Sequence, residues 1–203
     1  MKDNKSNLAK NSFCKILSGI TKIILSFLKK LESLGKSSKL FASLYDRLFY
    51  AKLITNEIEI ADLEKDDKIV HIGSGPFPIT AISLAREGYQ ITGVDVDEIA
   101  LKKAEDLTEK LNLCNKINFK LATAEEIDFT KFDVVWMSLH VIPKAETINE
   151  IIKKLSPGQK LIYRNPRGLL TFLYDKVEAE EITDNDFIIK RQPLGKESVL
   201  IKL

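Results

Sequence analysis

The chain has 203 residues, 44% of them hydrophobic and 30% charged, with a formal net charge of +2. That length allows one domain with a full core plus a modest appendage, and so small a net charge excludes nucleic-acid recognition by bulk electrostatics. No stretch reads as a membrane span: the most apolar N-terminal run, Phe13 to Leu34, is broken by Lys15, Lys22, Lys29, Lys30 and Glu32, whereas a span needs roughly 18 nearly uncharged residues.

The charge is uneven along the chain. Residues 1–40 hold nine lysines against Asp3 and Glu32, which leaves the remainder mildly acidic. Within them Phe13, Ile16, Leu17, Ile20, Ile23, Ile24, Phe27, Leu28, Leu31 and Leu34 recur at threes and fours. This predicts an amphipathic helix of about six turns ending at Gly35. A basic amphipathic helix can lie on an anionic membrane, but the expectation is that it packs on its own domain, or closes a homodimer. A second helix is predicted over Ser38 to Leu63, with Leu40, Leu44, Leu48, Leu53, Ile58 and Leu63 facing inward. Cys14 and Cys114 lack metal-ligand spacing and read as free thiols of a reducing compartment. With no signal-peptide cleavage pattern, a soluble, cytoplasmic protein is expected.

The rhythm then changes to short β-rich runs alternating with helical patterns. Strands are predicted at Lys68–Ile72, Gln90–Val94, Ile117–Leu121, Phe132–Met137 and Lys160–Arg164. Helices are predicted at Ile79–Glu87, Glu98–Leu111 and Glu146–Leu155. Such alternation means a parallel sheet wound by right-handed crossovers. The closing DFIIKRQP and ESVLIKL flank a Leu-Gly-Lys turn and read as an antiparallel hairpin. The expected fold is α/β: a doubly wound, mostly parallel seven-stranded sheet of the class I methyltransferase-like Rossmann type, with a C-terminal antiparallel hairpin. Residues 1–64 are expected to form a helical extension or lid, and 65–203 the α/β domain.

In such sheets the ligand lies at the carboxyl ends of the strands. The first strand runs into Gly73-Ser74-Gly75-Pro76, where glycine lets the backbone take positive φ or approach a ligand. A dinucleotide fingerprint would have a third glycine where this chain has Pro78. The prolines remove N–H groups that a diphosphate cradle would use, while suiting the start of a helix. About twenty residues on, Asp95 ends the second strand, followed by Val96 and Asp97; an acid there accepts hydrogen bonds from ribose hydroxyls. Glycine turn, acid and late hairpin together favour S-adenosylmethionine. Ala124 and Glu125, after the third strand, are placed for adenine, and Ser138, after the fourth, for the sulfonium end. His140 reads as a base, a substrate ligand or a plain loop histidine. His71, inside the first strand, reads as a core histidine. No metal site is predicted.

HIGSGPFPITAISLA, FDVVWMSLHVI and KLSPGQKLIYRNPRGLLTFLYDKV, with the closing hairpin, resemble nicotianamine synthase and the related bacterial and archaeal metallophore synthases. The resemblance runs from about Tyr50 to the C-terminus. It implies transfer of the 3-amino-3-carboxypropyl arm of S-adenosylmethionine onto an amine or amino-acid acceptor, with release of methylthioadenosine. YAKLITNE is similar to the family's pattern upstream of the first strand, which implies that Glu57 is the catalytic acid/base and that Tyr50 lines the same site. Arg164 and Asn165, leaving the fifth strand, are expected to bind substrate, with the guanidinium pairing a carboxylate of the arm or the acceptor. Arg167 is a weaker candidate. In many methyltransferases an acid stands two residues before the first glycine; here that position is His71. The family's N-terminal domain is larger than the roughly 65 residues found here, which fits either a smaller acceptor or ordinary methyl transfer. Two alternatives therefore stand beside arm transfer: a small-molecule methyltransferase, and a non-catalytic S-adenosylmethionine-binding protein.

Overall fold

A computed structural model of the chain describes residues 51–193 and 195–203. The predicted helix at Phe13–Leu34, the part of the second helix before Ala51, Cys14, Tyr50 and Leu194 lie outside the described residues. Helix α1 spans Ala51–Ala61. It is followed by β1 (Lys68–Ile72), α2 (Ile79–Arg86), β2 (Gln90–Asp95), α3 (Glu98–Lys110) and β3 (Ile117–Leu121). Then come β4 (Val134–Met137), α4 (Lys144–Lys154), β5 (Lys160–Pro166), β6 (Phe187–Gln192) and β7 (Lys196–Lys202).

The seven strands make one sheet in the order β3-β2-β1-β4-β5-β7-β6. The first five are parallel, and β7 runs antiparallel between β5 and β6. This is the expected class I methyltransferase-like arrangement. Its strand order reverses on either side of β1, and a crevice for a ligand opens at such a switch point. The central strands are apolar throughout because helices cover both faces: β4, Val-Val-Trp-Met, is wholly buried, as is β1 after Lys68.

Local chemistry sets the helix ends. Asp97 caps α3, its Oδ1 accepting from Ile99 N at 2.8 Å and Ala100 N at 3.1 Å. Asp97 thereby satisfies donors that a helix start leaves open. Pro78 stands just before α2 and donates nothing, but its carbonyl accepts from Ile82 N at 2.9 Å. Helix α1 buries Leu53, Ile54, Glu57 and Ala61, a single face by helical spacing, and packs on β5, β6, β7 and α2. It belongs to the same compact unit as the sheet. Among the described residues α1 thus packs on the sheet while lying within the expected 1–64 extension.

Candidate active site

The glycine turn leaves β1 with Gly73 at φ +73° and Gly75 at φ +63°, backbone that a β-carbon would strain. Gly73 N and Ser74 N donate to Val94 O at 2.9 and 3.0 Å, stitching the turn to β2. Gly75 N donates to Asp95 Oδ2 at 2.7 Å, and Asp97 N donates to Asp95 Oδ1 at 3.1 Å. Asp95 is therefore oriented by the turn it faces, with acceptor capacity left on each oxygen. A β-carbon built on Gly75 meets nothing within 4 Å. Open space begins at the turn itself.

Two cavities share that turn. The larger, of about 570 Å³, is lined by Asp95, Val96, Ala124 and Glu125 from the expected set, with Asp97, Glu146 and Glu150 adding further acids. Val96 is 69% exposed, leaving an apolar side chain on the rim for a flat ring to cover. The smaller, of about 210 Å³, is lined by His71, Ser74, Thr80, Ser138, Arg164 and Lys196 among others. Gly73, Gly75, Pro76 and His140 line both. The larger cavity carries only carboxylates as its charged side chains, whereas the smaller carries Arg164 and Lys196. The size of the larger cavity, about 570 Å³, lies in the usual range for small-molecule sites.

The acid expected to exchange protons is elsewhere. Glu57 is fully buried and lines neither cavity. Arg164 Nε donates to its Oε1 at 2.8 Å and Arg164 Nη2 to its Oε2 at 2.7 Å, and Ser198 Oγ donates to Oε1. The bidentate guanidinium and the serine take three of the roughly four acceptor sites of this carboxylate. Glu57 is paired with a residue that itself lines the smaller cavity. The carboxylate that Arg164 pairs with in the folded chain is the protein's own, and its Nη1 donates to Thr80 Oγ1 at 2.9 Å.

Asn165 also departs from expectation. Successive strand residues face opposite sides, so Asn165 turns away from Arg164's cavity. Its Oδ1 accepts from Lys144 Nζ at 3.0 Å and Val177 N at 3.1 Å, and its Nδ2 donates to Val177 O at 2.7 Å. Lys144 Nζ donates as well to Arg164 O at 2.6 Å, and burial pulls its pKa down to about 8. These bonds anchor the segment after β5 that carries Tyr174, whose ring centroid lies 5.4 Å from that of His140. Arg167 stands at the N-terminal end of the short helical turn Gly168–Phe172 without a side-chain capping bond, its backbone N donating to Gly195 O at 2.6 Å, and it lines neither cavity.

His140 sits where the cavities meet. Partial burial, then the charges of Lys196, Arg164 and Lys144, lower its pKa, favouring the neutral ring. Lys196, Lys144 and Tyr174 were not foreseen as part of the site. Lys196 was assigned to the hairpin turn, but it opens β7. A Lys-Glu-Ser run entering an otherwise apolar strand was the available signal for a buried polar cluster. Among the described residues, no three His, Cys, Asp or Glu side chains converge as a metal would require, and no helix is long and apolar enough to cross a membrane.

The model of the family described as nicotianamine synthase protein matches residues 18–201. Nicotianamine synthase 1 of Arabidopsis thaliana is 28% identical over 159 residues, covering 68% of this chain and 49% of that protein. L-histidine 2-aminobutanoyltransferase of Pseudomonas aeruginosa is 25% identical over 153 residues, covering 73% of this chain and 58% of its own. A solved structure of a glutamate-to-glutamine mutant of MtNAS with S-adenosylmethionine aligns at a TM-score of 0.71 and 24% identity, over 86% of this chain and 70% of that one. The chain spans about half the length of the curated relatives it matches.

Proposed function

Because the chain belongs to the nicotianamine synthase family, we propose that it transfers the 3-amino-3-carboxypropyl arm of S-adenosylmethionine to an amine, making a small chelating product of the nicotianamine kind. The observation that carries this reading is the pair of unlike cavities meeting at the glycine turn and His140. In this reading Asp95 accepts from the ribose hydroxyls, and Val96, Ala124 and Glu125 border the adenine. The smaller cavity takes the amino-acid end. The co-substrate supplies an electrophilic carbon on a sulfonium. Attack by nitrogen breaks that carbon's bond to sulfur and leaves the electron pair on the sulfur of methylthioadenosine.

The amine must shed a proton, and His140 is the one titratable side chain among the described residues that lines both cavities. A neutral imidazole there suits general base catalysis. The reading carries a cytoplasmic location with it, since the co-substrate is an intracellular metabolite.

The test is incubation with S-adenosylmethionine and a panel of amines and amino acids, with the nucleoside product identified by mass spectrometry. Methylthioadenosine that requires an acceptor, and drops about 100-fold in His140→Gln as loss of a general base should cause, supports arm transfer. S-adenosylhomocysteine would make the protein a methyltransferase. Binding without either product would make it a non-catalytic binder.

A further inference from the structure

His71 is buried within β1, yet both ring nitrogens are engaged at the wall of the smaller cavity. Nε2 lies 2.9 Å from Ser138 Oγ, and Nδ1 lies 3.0 Å from Ser74 Oγ. Ser74 Oγ also donates to the His71 carbonyl at 3.2 Å. A hydroxyl has one proton to give. The distances fit either tautomer; the one in which Ser74 gives its proton to that carbonyl puts the ring proton on Nδ1, because the Ser74 oxygen then meets Nδ1 only as an acceptor. A neutral imidazole has a single N–H, so Nε2 accepts and Ser138 donates. The charged ring is opposed by burial, then by Arg164 and His140, which together take its pKa down to about 3. Gly93 makes the room: a β-carbon there would fall 2.7 Å from Ser74 Oγ.

The consequence falls on Ser138. Its proton is turned inward to His71, so the unused lone pair on its oxygen is available to the cavity, and among the described residues it makes no other side-chain hydrogen bond. We infer that Ser138 is a fixed hydrogen-bond acceptor for an amine N–H of the bound ligand, and that His71 is the positioning residue that keeps it one. The inference rests on the proposed transfer only in taking that ligand as S-adenosylmethionine or its amine acceptor, each of which carries an amine. Lys196 on the same wall offers positive charge, so the carboxylate and amine ends of an amino acid are told apart within one cavity.

The first test reads the His71 ring of the unaltered site directly. The chain has two histidines, so in ¹⁵N-histidine-labelled full-length protein each ring is assigned with a single His140→Gln control. The expected result is an Nδ1–H tautomer of His71 that does not titrate from pH 5 to 8; an Nε2–H tautomer overturns the inference. The second test compares S-adenosylmethionine with methylthioadenosine, which lacks the arm. If the amine is the arm's, Ser138→Ala weakens binding of the first about tenfold and spares the second. If it is the acceptor's, both nucleosides bind as before and the acceptor's KM rises about tenfold. In either case His71→Phe with Ser138→Ala is no worse than Ser138→Ala alone, the non-additivity of a shared pathway. Equal weakening of both nucleosides, or no effect on any ligand, overturns the inference. A wild type that shows the tautomer and the nucleoside contrast but turns over no amine would sink the proposed transfer and leave Ser138's role standing.

Discussion

At the scale of single residues, Glu57 was picked out by its neighbours in sequence. Its helix was legible, but its burial on the stripe of α1 that carries Leu53, Ile54 and Ala61 was not, since an acid beside Glu59 reads equally as a surface charge. Its partner was not, because Arg164 lies 107 residues away and only the fold brings them together. Breaking a buried ion pair from one side strands a charge, at about 3–5 kcal/mol. Arg164→Leu should therefore lower the free energy of urea unfolding by roughly that amount, and the double variant Glu57→Leu/Arg164→Leu should recover much of it. Glu57→Gln should lose activity in step with stability while the pH profile of the remaining turnover stays unchanged. A profile shifted by Glu57→Gln would return the proton-transfer role to Glu57. His71 gives a second prediction. Its folded pKa, about 3, lies below the ordinary 6.5. The unfolded chain gains a proton as pH falls past 6.5 while the folded chain does not. The stability this contributes is complete above 6.5 and is lost towards pH 3 at about 1.4 kcal/mol per pH unit. Urea titrations from pH 6.5 to 4 should show a slope flatter by that amount in His71→Phe than in the wild type.

At the scale of elements, the strand–helix alternation was readable because each run carries its own period and punctuation. Strands β1 and β3 fall where the pattern puts them, and α2 to α4 differ by a residue or two at their ends. What the pattern could not carry is how a strand divides its polar residues between faces. Arg164 and Asn165 both looked like ligands of one site; the alternation of β5 sends one to the cavity and the other to the segment after the strand. That segment has little regular structure of its own, with short 3₁₀ turns at Gly168–Phe172 and Ala179–Glu181. Its hold on the sheet passes through Lys144, Asn165 and Val177. Asn165→Ala should free the Val177 amide, with hydrogen exchange there faster by about tenfold or more. The His140–Tyr174 contact should loosen with it, lowering turnover more than it lowers affinity for the nucleoside. Unchanged exchange at Val177 would mean the segment is held by other means.

At the scale of the whole molecule, the site exists because the sheet reverses order at β1 and stacks unlike charge on the two sides of the opening. Carboxylates border the larger cavity and cations the smaller, and a ligand bridging them is bound only by the assembled sheet. A nucleoside that binds the folded chain alone stabilises it by about 2.7 kcal/mol at a hundredfold excess over its Kd, which for a body of this size is roughly 5–10 °C in Tm. S-adenosylmethionine should produce that shift, and Asp95→Ala should abolish it; a full shift in Asp95→Ala would remove the ribose contact from the scheme. The order of the strands also bears on how the protein is made. Strand β7 follows β6 in the chain but lies between β5 and β6 in the sheet, and it supplies both Lys196 to the cavity and Ser198 to Glu57. A nascent chain still on the ribosome can pair its five parallel strands, but β6 has nothing to pair with and the buried carboxylate lacks one of its donors. The wall of the smaller cavity is thus completed only once β7 is in place, and a product truncated before β7 lacks both Lys196 and the Ser198 donor to Glu57.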